Sequence, residues 1–376
     1  MNNNKIWLSS PHMGNSEFKN VTEAFETNWI APLGPFVDQF EEKLKSYNSV
    51  KAVAALSSGT SAIHLALILL KVQKDDIVLC QSFTFSASAN PILYQGANPV
   101  FIDSEADTWN MCPNALEDAI KHYIALDKLP KAIIAVHLYG MPAKMNDIIE
   151  ISKKYEIPII EDAAESLGSK YFDKPCGSFG NFGVLSFNGN KIITTSGGGA
   201  LISNDIELIE KAKFLATQAR DNAPHYQHSN IGYNYRLSNV LAAIGLGQLE
   251  VLEDRINSRR ANFEFYKNEL LTIDEISFLD EPIGHFSNRW LTTILIKDRS
   301  KIKNENIRLA LSDKNIESRP LWKPMHLQPI FKDCLYFGGG TSLRLFENGL
   351  CLPSGSNLNI EDLNRVANSI KKLFKI

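Results

Sequence analysis

One lysine of the sequence, Lys191, lies in a short polar connection between two apolar segments. The connection is SFNGNKIITTSGGGA at residues 186–200, and the GVLSF and GALIS segments that flank the lysine are typical of buried β-strands. Most lysines beside a glycine-rich loop are solvated charges. Burial disfavours the ammonium form, however, and a neutral lysine amine is a nucleophile that forms a Schiff base. Lys191 is therefore either a surface charge or a lysine that binds an aldehyde.

A pair of carboxylates, Glu161 and Asp162, ends an apolar segment in the stretch PIIEDAAESLGS at residues 158–169. Acids at strand ends are often helix caps, but open α/β sheets also bind ligands at the carboxyl ends of their strands. An acid followed by a lysine 29 residues later (191 − 162) meets two needs of pyridoxal phosphate (PLP) chemistry. The acid keeps the pyridine nitrogen protonated, and the lysine holds the aldehyde. PLP is therefore the expected cofactor.

Two further stretches offer a phosphate seat and an aromatic ring. In SSGTSAIHLAL at residues 57–67, a polar turn leads into a helix whose free N–H groups and dipole attract a phosphate, although the turn alone is more typical of an ordinary helix cap. In QSFTFSASANPI at residues 81–92, Phe83 and Phe85 follow the next predicted strand. Either ring could stack on an aromatic cofactor or belong to the core.

The composition argues against several other classes of protein. The net charge is −3, from 39 basic and 42 acidic residues, and neither sign forms a long block, so nucleic acid and anionic membranes are not expected partners. No G-x-G-x-x-G motif follows the first predicted strand, and the eight histidines form no metal-ligand pair, so neither a nicotinamide cofactor nor a metal is expected. Five scattered cysteines and the lack of a long apolar stretch predict a reduced, cytoplasmic protein.

The pattern of apolar segments predicts an α/β fold with two domains. Seven short apolar runs alternate with amphipathic helical stretches, which is typical of a mostly parallel sheet covered by helices. A long helix is expected at about 237–272, followed by a small C-terminal α/β unit. The predicted strands are 52–56, 76–80, 99–103, 132–136, 158–162, 184–187 and 200–203.

Taken together, the motifs resemble the DegT/DnrJ/EryC1/StrS family of sugar-nucleotide aminotransferases, which are PLP enzymes of fold type I. The stretches that carry the resemblance, which covers about residues 5–370, are SSGTSAIHLAL, FTFSASANPI, EDAAESLGS, GNKIITTSGGGA, GYNYRLSN and RPLWKPMHLQP. It implies an N-terminal arm and large PLP-binding domain at 1–250 and a small domain at 251–376. A dehydratase branch of the family has histidine in place of the lysine, and Lys191 excludes this chain from that branch.

By this resemblance, Lys191 is the imine-forming lysine and the base that moves the proton, and Asp162 pairs with the pyridine nitrogen. Gly59, Thr60 and Ser186 would hold the phosphate.

The resemblance also implies that Phe85 stacks on the cofactor ring. Asn234 would reach the phosphate of the neighbouring subunit's cofactor, so a homodimer with shared active sites is expected. One position departs from many relatives, which have His or Gln near the cofactor's ring oxygen where this chain has Glu165. With glutamate at this position, the chain resembles the subgroup that aminates UDP-linked 4-keto-6-deoxy-N-acetylhexosamines.

The opening stretches IWLSSPHMG and TNWIAPLGP also resemble that subgroup. From these stretches and the C-terminal motif, Ile30, Ala31 and His326 are the candidates for substrate contacts. Arg236 and Arg319 are the candidates for binding the pyrophosphate. The two arginines are equally expected to form salt bridges, and Trp322 and Pro324 are expected to be packing residues.

The expected activity is amino transfer, with L-glutamate as the donor implied by the resemblance, to C4 of a UDP-linked 4-keto-6-deoxy sugar for a bacterial surface glycan. Three alternatives stay open: a dTDP- or GDP-linked 3- or 4-keto acceptor, an elimination that uses PLP and keeps the lysine, and a non-catalytic cofactor-binding or regulatory protein that keeps the fold.

Overall fold

The computed structural model describes residues 4–375 and is built on a central eight-stranded sheet. Most of its strands are buried along their full length, because helices cover both faces of an α/β sheet, and apolar side chains occupy most of their positions. The strands are β1 Ala52–Leu56, β2 Ile77–Gln81, β3 Asn98–Ile102, β4 Ala132–Val136, β5 Ile159–Asp162, β6 Lys170–Tyr171, β7 Lys174–Pro175, β8 Phe182–Ser186, β9 Gly199–Ser203, β10 Ile276–Phe278, β11 His285–Phe286, β12 Thr292–Ile296, β13 Arg319–Pro320, β14 Tyr336–Phe337 and β15 Gly349–Leu352.

The strand order is β1-β9-β8-β5-β4-β2-β3-β14, with β9 antiparallel to both of its neighbours and the other pairs parallel. The seven predicted strands all lie in this sheet, which confirms the predicted α/β fold. The predicted number of strands was one too low, because the two-residue strand β14 pairs with β3 at the edge. A strand of two residues has no alternation that a sequence pattern can reveal.

Twelve helices connect the strands or cover the sheets in the described part of the chain. They are α1 Glu17–Glu26, α2 Pro35–Tyr47, α3 Gly59–Leu69, α4 Asn90–Tyr94, α5 Pro113–Ala125, α6 Met145–Tyr155, α7 Ile206–Ala216, α8 Asn239–Glu250, α9 Leu252–Glu269, α10 Asn304–Ser312, α11 Thr341–Asn348 and α12 Ile360–Leu373. Among residues 4–375, none of these helices combines the length and the hydropathy that crossing a bilayer requires.

The predicted long helix at 237–272 is wrong as a single element, because it divides at Val251 into α8 and α9. Val251 leaves helical geometry at φ −109° and ψ 8°. The break lets α8 pack on α1 and α2, which belong to the large-sheet part of the chain, while α9 contacts α12 of the C-terminal unit. Since no proline or glycine marks residue 251, the sequence carried no signal for the break.

A four-stranded antiparallel sheet of order β10-β12-β15-β13 forms the C-terminal unit. Its core includes Ile294 and Leu350 from the sheet and Val366 from α12. Ile6, near the start of the chain, lies in the same core. The domain boundary at 250/251 stays a prediction. Segments cross it in both directions, because Ile6 lies in the core of the C-terminal unit and β14 joins the large sheet.

The carboxyl ends of β1, β5 and β8 lie at one edge of the central sheet. At this edge the start of β9 approaches the start of α3 so closely that a Cβ on Gly199 would lie 2.4 Å from the Gly59 nitrogen. Glycine at this position therefore brings the N-terminus of α3 against the strand that follows the lysine loop.

Candidate active site

A cavity of about 350 Å³ opens at this carboxyl edge of the sheet. Ligands of open α/β sheets bind at such an edge. Seven of the predicted site residues line the cavity, and they are Gly59, Thr60, Phe85, Asp162, Glu165, Ser186 and Lys191.

The side chain of Lys191 points into an enclosed space, with 12% of its surface exposed. Its Nζ lies 4.4 Å from the ring centroid of Trp290 and 3.6 Å from Oε1 of Glu165. The structure therefore removes the first alternative for this residue, a solvated surface charge. The indole and the carboxylate hold the amine where a ligand in the cavity can reach it.

Backbone contacts fix the turn that carries the lysine. The Lys191 N–H donates to the Asn188 carbonyl at 3.0 Å. The Asn190 carbonyl accepts from the Ser9 hydroxyl and from the Trp290 indole N–H, each at 2.7 Å. The N-terminal arm and the C-terminal half of the chain thus meet at the lysine turn.

Asp162 ends β5 with its carboxylate held in a defined direction. Its Oδ2 accepts from the Ser88 hydroxyl at 2.6 Å, and its Oδ1 accepts from the Ala164 N–H at 3.1 Å. Because Ser88 donates its only hydroxyl proton to Asp162, its oxygen accepts from the Thr84 hydroxyl at 2.7 Å. This chain of hydroxyls positions a buried carboxylate, only 5% exposed, at the cavity wall.

The N-terminus of α3 contributes a cluster of polar groups. Ser58 caps the helix by accepting from the Ser61 N–H at 3.0 Å. The first N–H groups of a helix have no intrahelical partner, and the helix dipole makes this end attractive to a phosphate. Gly59, Thr60 and Ser186 lie together here, since a Cβ on Gly59 would be 3.3 Å from the Ser186 Cβ.

The two phenylalanines have different environments. Phe85 lines the cavity and is 59% exposed, so its ring is available to stack on a flat ligand. Phe83 is fully buried and packs edge-to-face on Tyr139. Of the two alternatives, Phe85 is the ring at the site and Phe83 belongs to the core.

The carboxylate of Glu165 faces the lysine amine, and hydrogen bonds hold both its backbone and its side chain. Its Oε2 accepts from the Tyr139 N–H at 2.7 Å, and its carbonyl accepts from the Asn288 side chain at 3.0 Å. Burial raises the pKa of the Glu165 carboxyl above its ordinary value, which the nearby charge of Lys191 only partly offsets.

The neighbouring acid, Glu161, has a structural role. Its carboxylate accepts backbone N–H groups from Gly177, Phe179 and Gly180, and it lies 3.0 Å from His137 Nε2. His137 Nδ1 accepts from the Ala143 N–H, so Nε2 carries the proton and donates it to Glu161. Glu161 therefore anchors the loop before β8 and does not line the cavity.

Several predicted site residues lie outside this cavity. Arg236 is buried and forms an ion pair with Glu41 at 2.8 Å. Of the two roles expected for this residue, a salt bridge or a pyrophosphate contact, the structure records the salt bridge. The Arg319 side chain is 63% exposed and pairs with Glu317 at 2.9 Å. His326 stacks on Tyr336 and bonds to the Ser82 hydroxyl through Nδ1.

Three further predicted residues are exposed on the surface of the chain. The Asn234 side chain accepts from Gln218 at 3.0 Å, and Ile30 is 46% exposed. Ala31 contacts the rest of the chain through its carbonyl, which accepts from the Asn239 N–H at 2.9 Å. Their predicted roles require a partner subunit or a bound substrate and stay predictions.

Two indoles and the hydroxyls that orient Asp162 were not among the predicted site residues. Trp290 and Trp322 both line the cavity, although Trp322 was expected to be a packing residue. They come from segments about 100 residues or more after Lys191, and no short motif links them to it. Ser88 and Thr84 were within the quoted FTFSASAN stretch, but their side-chain directions follow from the tertiary fold.

These residues fit the needs of PLP. A lysine amine, a buried carboxylate, a helix N-terminus and an exposed ring line one cavity, and the buried Trp322 indole N–H has no hydrogen-bond partner among residues 4–375. In the same described part of the chain, no cluster of three or more His, Cys, Asp or Glu side chains is arranged to hold a metal.

Fold and site together define a PLP-dependent transferase of the aminotransferase type. The chain belongs to the DegT/DnrJ/EryC1/StrS aminotransferase family, whose model matches residues 11–371. Members of this family are PLP-dependent, and the protein is accordingly a PLP-dependent sugar aminotransferase.

Individual relatives match along nearly their whole length. The chain is 55% identical over 374 residues to EpsN of Bacillus subtilis, assigned as a pyridoxal phosphate-dependent aminotransferase, covering 98% of this chain and 96% of the relative. It is 35% identical to GDP-perosamine synthase of Escherichia coli O157:H7, covering 98% of each chain. It is 33% identical to a UDP-4-amino-4,6-dideoxy-N-acetyl-β-L-altrosamine transaminase of Campylobacter jejuni, again covering 98% of each.

Among solved structures, the PLP form of the sugar aminotransferase Spr1654 from Streptococcus pneumoniae superposes with a TM-score of 0.90 at 25% identity and covers 99% of each chain.

Proposed function

We propose that this enzyme transfers the amino group of L-glutamate to C4 of a UDP-linked 2-acetamido-4-keto-2,6-dideoxyhexose. The product would serve the biosynthesis of a bacterial surface glycan. The observation that carries the proposal is the placement of the Lys191 amine and the Asp162 carboxylate in one cavity beside the N-terminus of α3.

The residues of the site divide the work of amino transfer. Bound PLP supplies an electron sink that stabilises negative charge at a reacting carbon. Asp162, oriented by Ser88, is placed to hold the proton on the pyridine nitrogen. Lys191 Nζ would hold the aldehyde of the cofactor, and its amine is the base in the cavity placed to take up and return a proton. Phe85 would contact the cofactor ring by stacking.

A second cleft supports a large acceptor such as a nucleotide sugar. It measures about 290 Å³ and shares Asn190, Trp290 and Trp322 with the lysine cavity. Arg319 lines this cleft but not the lysine cavity, and an exposed guanidinium suits a pyrophosphate. Because the two spaces share three lining residues, an acceptor that fills both would reach from the lysine amine to an anion-binding group.

The choice of UDP rests on the resemblance of Glu165 and of the N-terminal stretches to the UDP-sugar subgroup. The relatives' names include both a UDP-linked and a GDP-linked sugar. A GDP- or dTDP-linked 3- or 4-keto acceptor is therefore the second candidate, and an elimination without an amino donor is the third.

The test compares acceptors directly. The PLP-loaded enzyme and L-glutamate would be incubated with matched UDP-, GDP- and dTDP-linked 4-keto-6-deoxy sugars and with a 3-keto isomer, and kcat/KM would be measured by chromatography and mass spectrometry. We expect the UDP-linked 4-keto sugar to have the highest kcat/KM by at least about tenfold. A higher kcat/KM for the GDP- or dTDP-linked sugar would mean that this nucleotide, and not UDP, is the carrier. Product formation without glutamate would mean that the reaction is an elimination and not amino transfer.

We further propose that the functional unit is a homodimer in which Asn234 completes the partner's phosphate site. Asn234 lies away from its own chain's cavity and is exposed. Phe85, which lines the cavity, is also largely exposed, as expected of a site that a second subunit covers.

A further inference from the structure

The carboxyl of Glu165 has one oxygen engaged by the protein and one that faces the lysine. Oε2 accepts the Tyr139 N–H at 2.7 Å, whereas Oε1 lies 3.6 Å from Lys191 Nζ. The Glu165 side chain is 5% exposed and that of Lys191 is 12% exposed, so little water screens the pair. Oε1 is therefore the oxygen of Glu165 that the structure records in an ion pair with this amine.

The backbone that aims the Tyr139 N–H at Glu165 has an uncommon conformation. Tyr139 has φ 56°, in the left-handed region that non-glycine residues rarely adopt. The next residue, Gly140, has φ 90°, and a Cβ there would lie 1.9 Å from Oδ1 of Asn288. Asn288 in turn bonds to the Glu165 carbonyl. A strained turn at a site, held by several contacts, indicates that the direction of this carboxyl matters to function.

The other titratable neighbours of Glu165 leave the lysine as its proton partner. Burial raises the pKa values of the Tyr139 phenol and the Cys351 thiol well above neutrality, so both stay protonated. The negative charge of Asp162 acts with burial to raise the pKa of Glu165.

We propose that Glu165 is the proton acceptor for Lys191, taking the ammonium proton so that a neutral amine can bind the cofactor's aldehyde. The proton moves from Lys191 Nζ to Glu165 Oε1, and no other bond changes in this step. A side-chain movement of about half an ångström brings the 3.6 Å contact to the distance at which protons transfer. The inference rests on the proposed role of Lys191 and assigns to Glu165 a function beyond contact with the cofactor.

The sign of the pH dependence follows from this role. Glu165 accepts a proton only when ionised, so imine formation should slow as the pH falls through its raised pKa. Removing the carboxylate leaves only solvent to take the proton, which becomes efficient only at alkaline pH.

The experiment measures the rate at which apoenzyme and PLP form the imine, by stopped-flow absorbance from pH 5 to pH 10. The variants are Glu165→Gln, which keeps the side chain's size and an oxygen for the Tyr139 N–H, and Glu165→Asp, whose carboxylate is retained but set back. Glu117→Gln is the matched control, since Glu117 pairs with Lys121 and Lys154 on α5 and α6 away from the cavity.

For wild type and Glu117→Gln we expect a rate that rises with pH and levels off near neutrality. For Glu165→Gln we expect a rate at pH 7 lower by about tenfold to a hundredfold that climbs toward the wild-type value at high pH, with Glu165→Asp in between. A Glu165→Gln profile parallel to wild type would overturn the proton-acceptor role.

Two results separate this inference from the proposed function. If the imine forms in wild type and its rate has no acidic limb, the role of Glu165 fails and that of Lys191 stands, and this holds even if Glu165→Gln does not fold. If wild type forms no imine at any pH, the role of Lys191 fails and that of Glu165 fails with it.

Discussion

The amine of Lys191 contacts both an aromatic ring and a carboxylate. Trp290 is 1% exposed and presents its ring to Nζ, while its own indole N–H bonds to the Asn190 carbonyl next to the lysine. Its carbonyl accepts from the buried Arg259 at 2.6 Å. The lysine is therefore held by a residue that is itself fixed, which is the arrangement that precise covalent chemistry requires.

The first prediction at this scale concerns the lysine. Lys191→Ala should abolish turnover and the visible absorbance of the imine, because no other amine is recorded at the cavity wall in the described chain. Borohydride reduction followed by peptide mass spectrometry should find the cofactor on Lys191 in wild type. The control Lys154→Ala, which alters a surface ion pair, should keep both signals. Wild-type turnover by Lys191→Ala would contradict the assignment.

The second prediction concerns the acid. Asp162→Asn should keep some bound PLP, because the phosphate contacts remain, but kcat should fall on the order of a hundredfold, because an amide does not stabilise the protonated ring nitrogen. Steady-state kinetics and the absorbance of bound cofactor would be measured together. Asp107→Asn, a change in an exposed acid, serves as the control. An unchanged kcat would mean that Asp162 does not govern the ring nitrogen.

At the scale of elements, the N-terminus of α3 and the start of β9 form one unit. Gly199 allows the two backbones to approach, and Ser58 fixes where the helix begins. The arrangement gives the helix N-terminus a defined position relative to the lysine loop, since that loop leads directly into β9.

This geometry yields a prediction with a matched control. Ser58→Ala should destabilise folding by about 1 kcal/mol, as loss of an N-cap does, and should also weaken PLP binding because the first turn of α3 loses its anchor. Asp205→Ala removes the cap of α7, which lies outside the cavity. It should cost a similar free energy of unfolding and leave the Kd for PLP unchanged. Equal effects of both changes on Kd would contradict the phosphate seat at α3.

Elements with strong local patterns could be predicted from the sequence, and those defined by tertiary packing could not. The apolar strands of the sheet, the polar turn before α3 and the carboxylate at the end of β5 could all be recognised from the sequence. The break at Val251, the edge strand β14 and the approach of Trp290 to Lys191 depend on contacts between distant segments. The same limit applies to Asp162, whose position was predicted but whose orienting hydroxyl, Ser88, was not.

At the scale of the whole molecule, the chain leaves its site open on the side of Phe85 and exposes Ile30 and Asn234. Closed twofold dimers are the commonest way in which such surfaces are covered, and each subunit then gives and receives the same residues. A site completed by a partner is testable without a structure of the dimer.

Two variants with impaired sites test whether the sites are shared. Asn234→Ala should weaken the partner's phosphate site, and Lys191→Ala should inactivate its own. If the sites are shared, refolding the two variants together in equal amounts should restore about a quarter of wild-type activity, because half of the dimers are mixed and each has one complete site. Each variant refolded alone is the control. No recovery in the mixture, with mixed dimers verified by mass, would place Asn234 in its own subunit's site or outside any site.

The most direct test of the central claim follows a labelled nitrogen. Wild-type enzyme with bound PLP would be incubated with ¹⁵N-labelled L-glutamate and UDP-2-acetamido-4-keto-2,6-dideoxyhexose, and the purified nucleotide sugar would be examined by mass spectrometry and NMR. We predict one ¹⁵N atom bonded to C4 of the sugar, with an equal amount of 2-oxoglutarate formed. A sugar product without ¹⁵N, or glutamate converted while this acceptor stays unchanged, would contradict the proposed reaction.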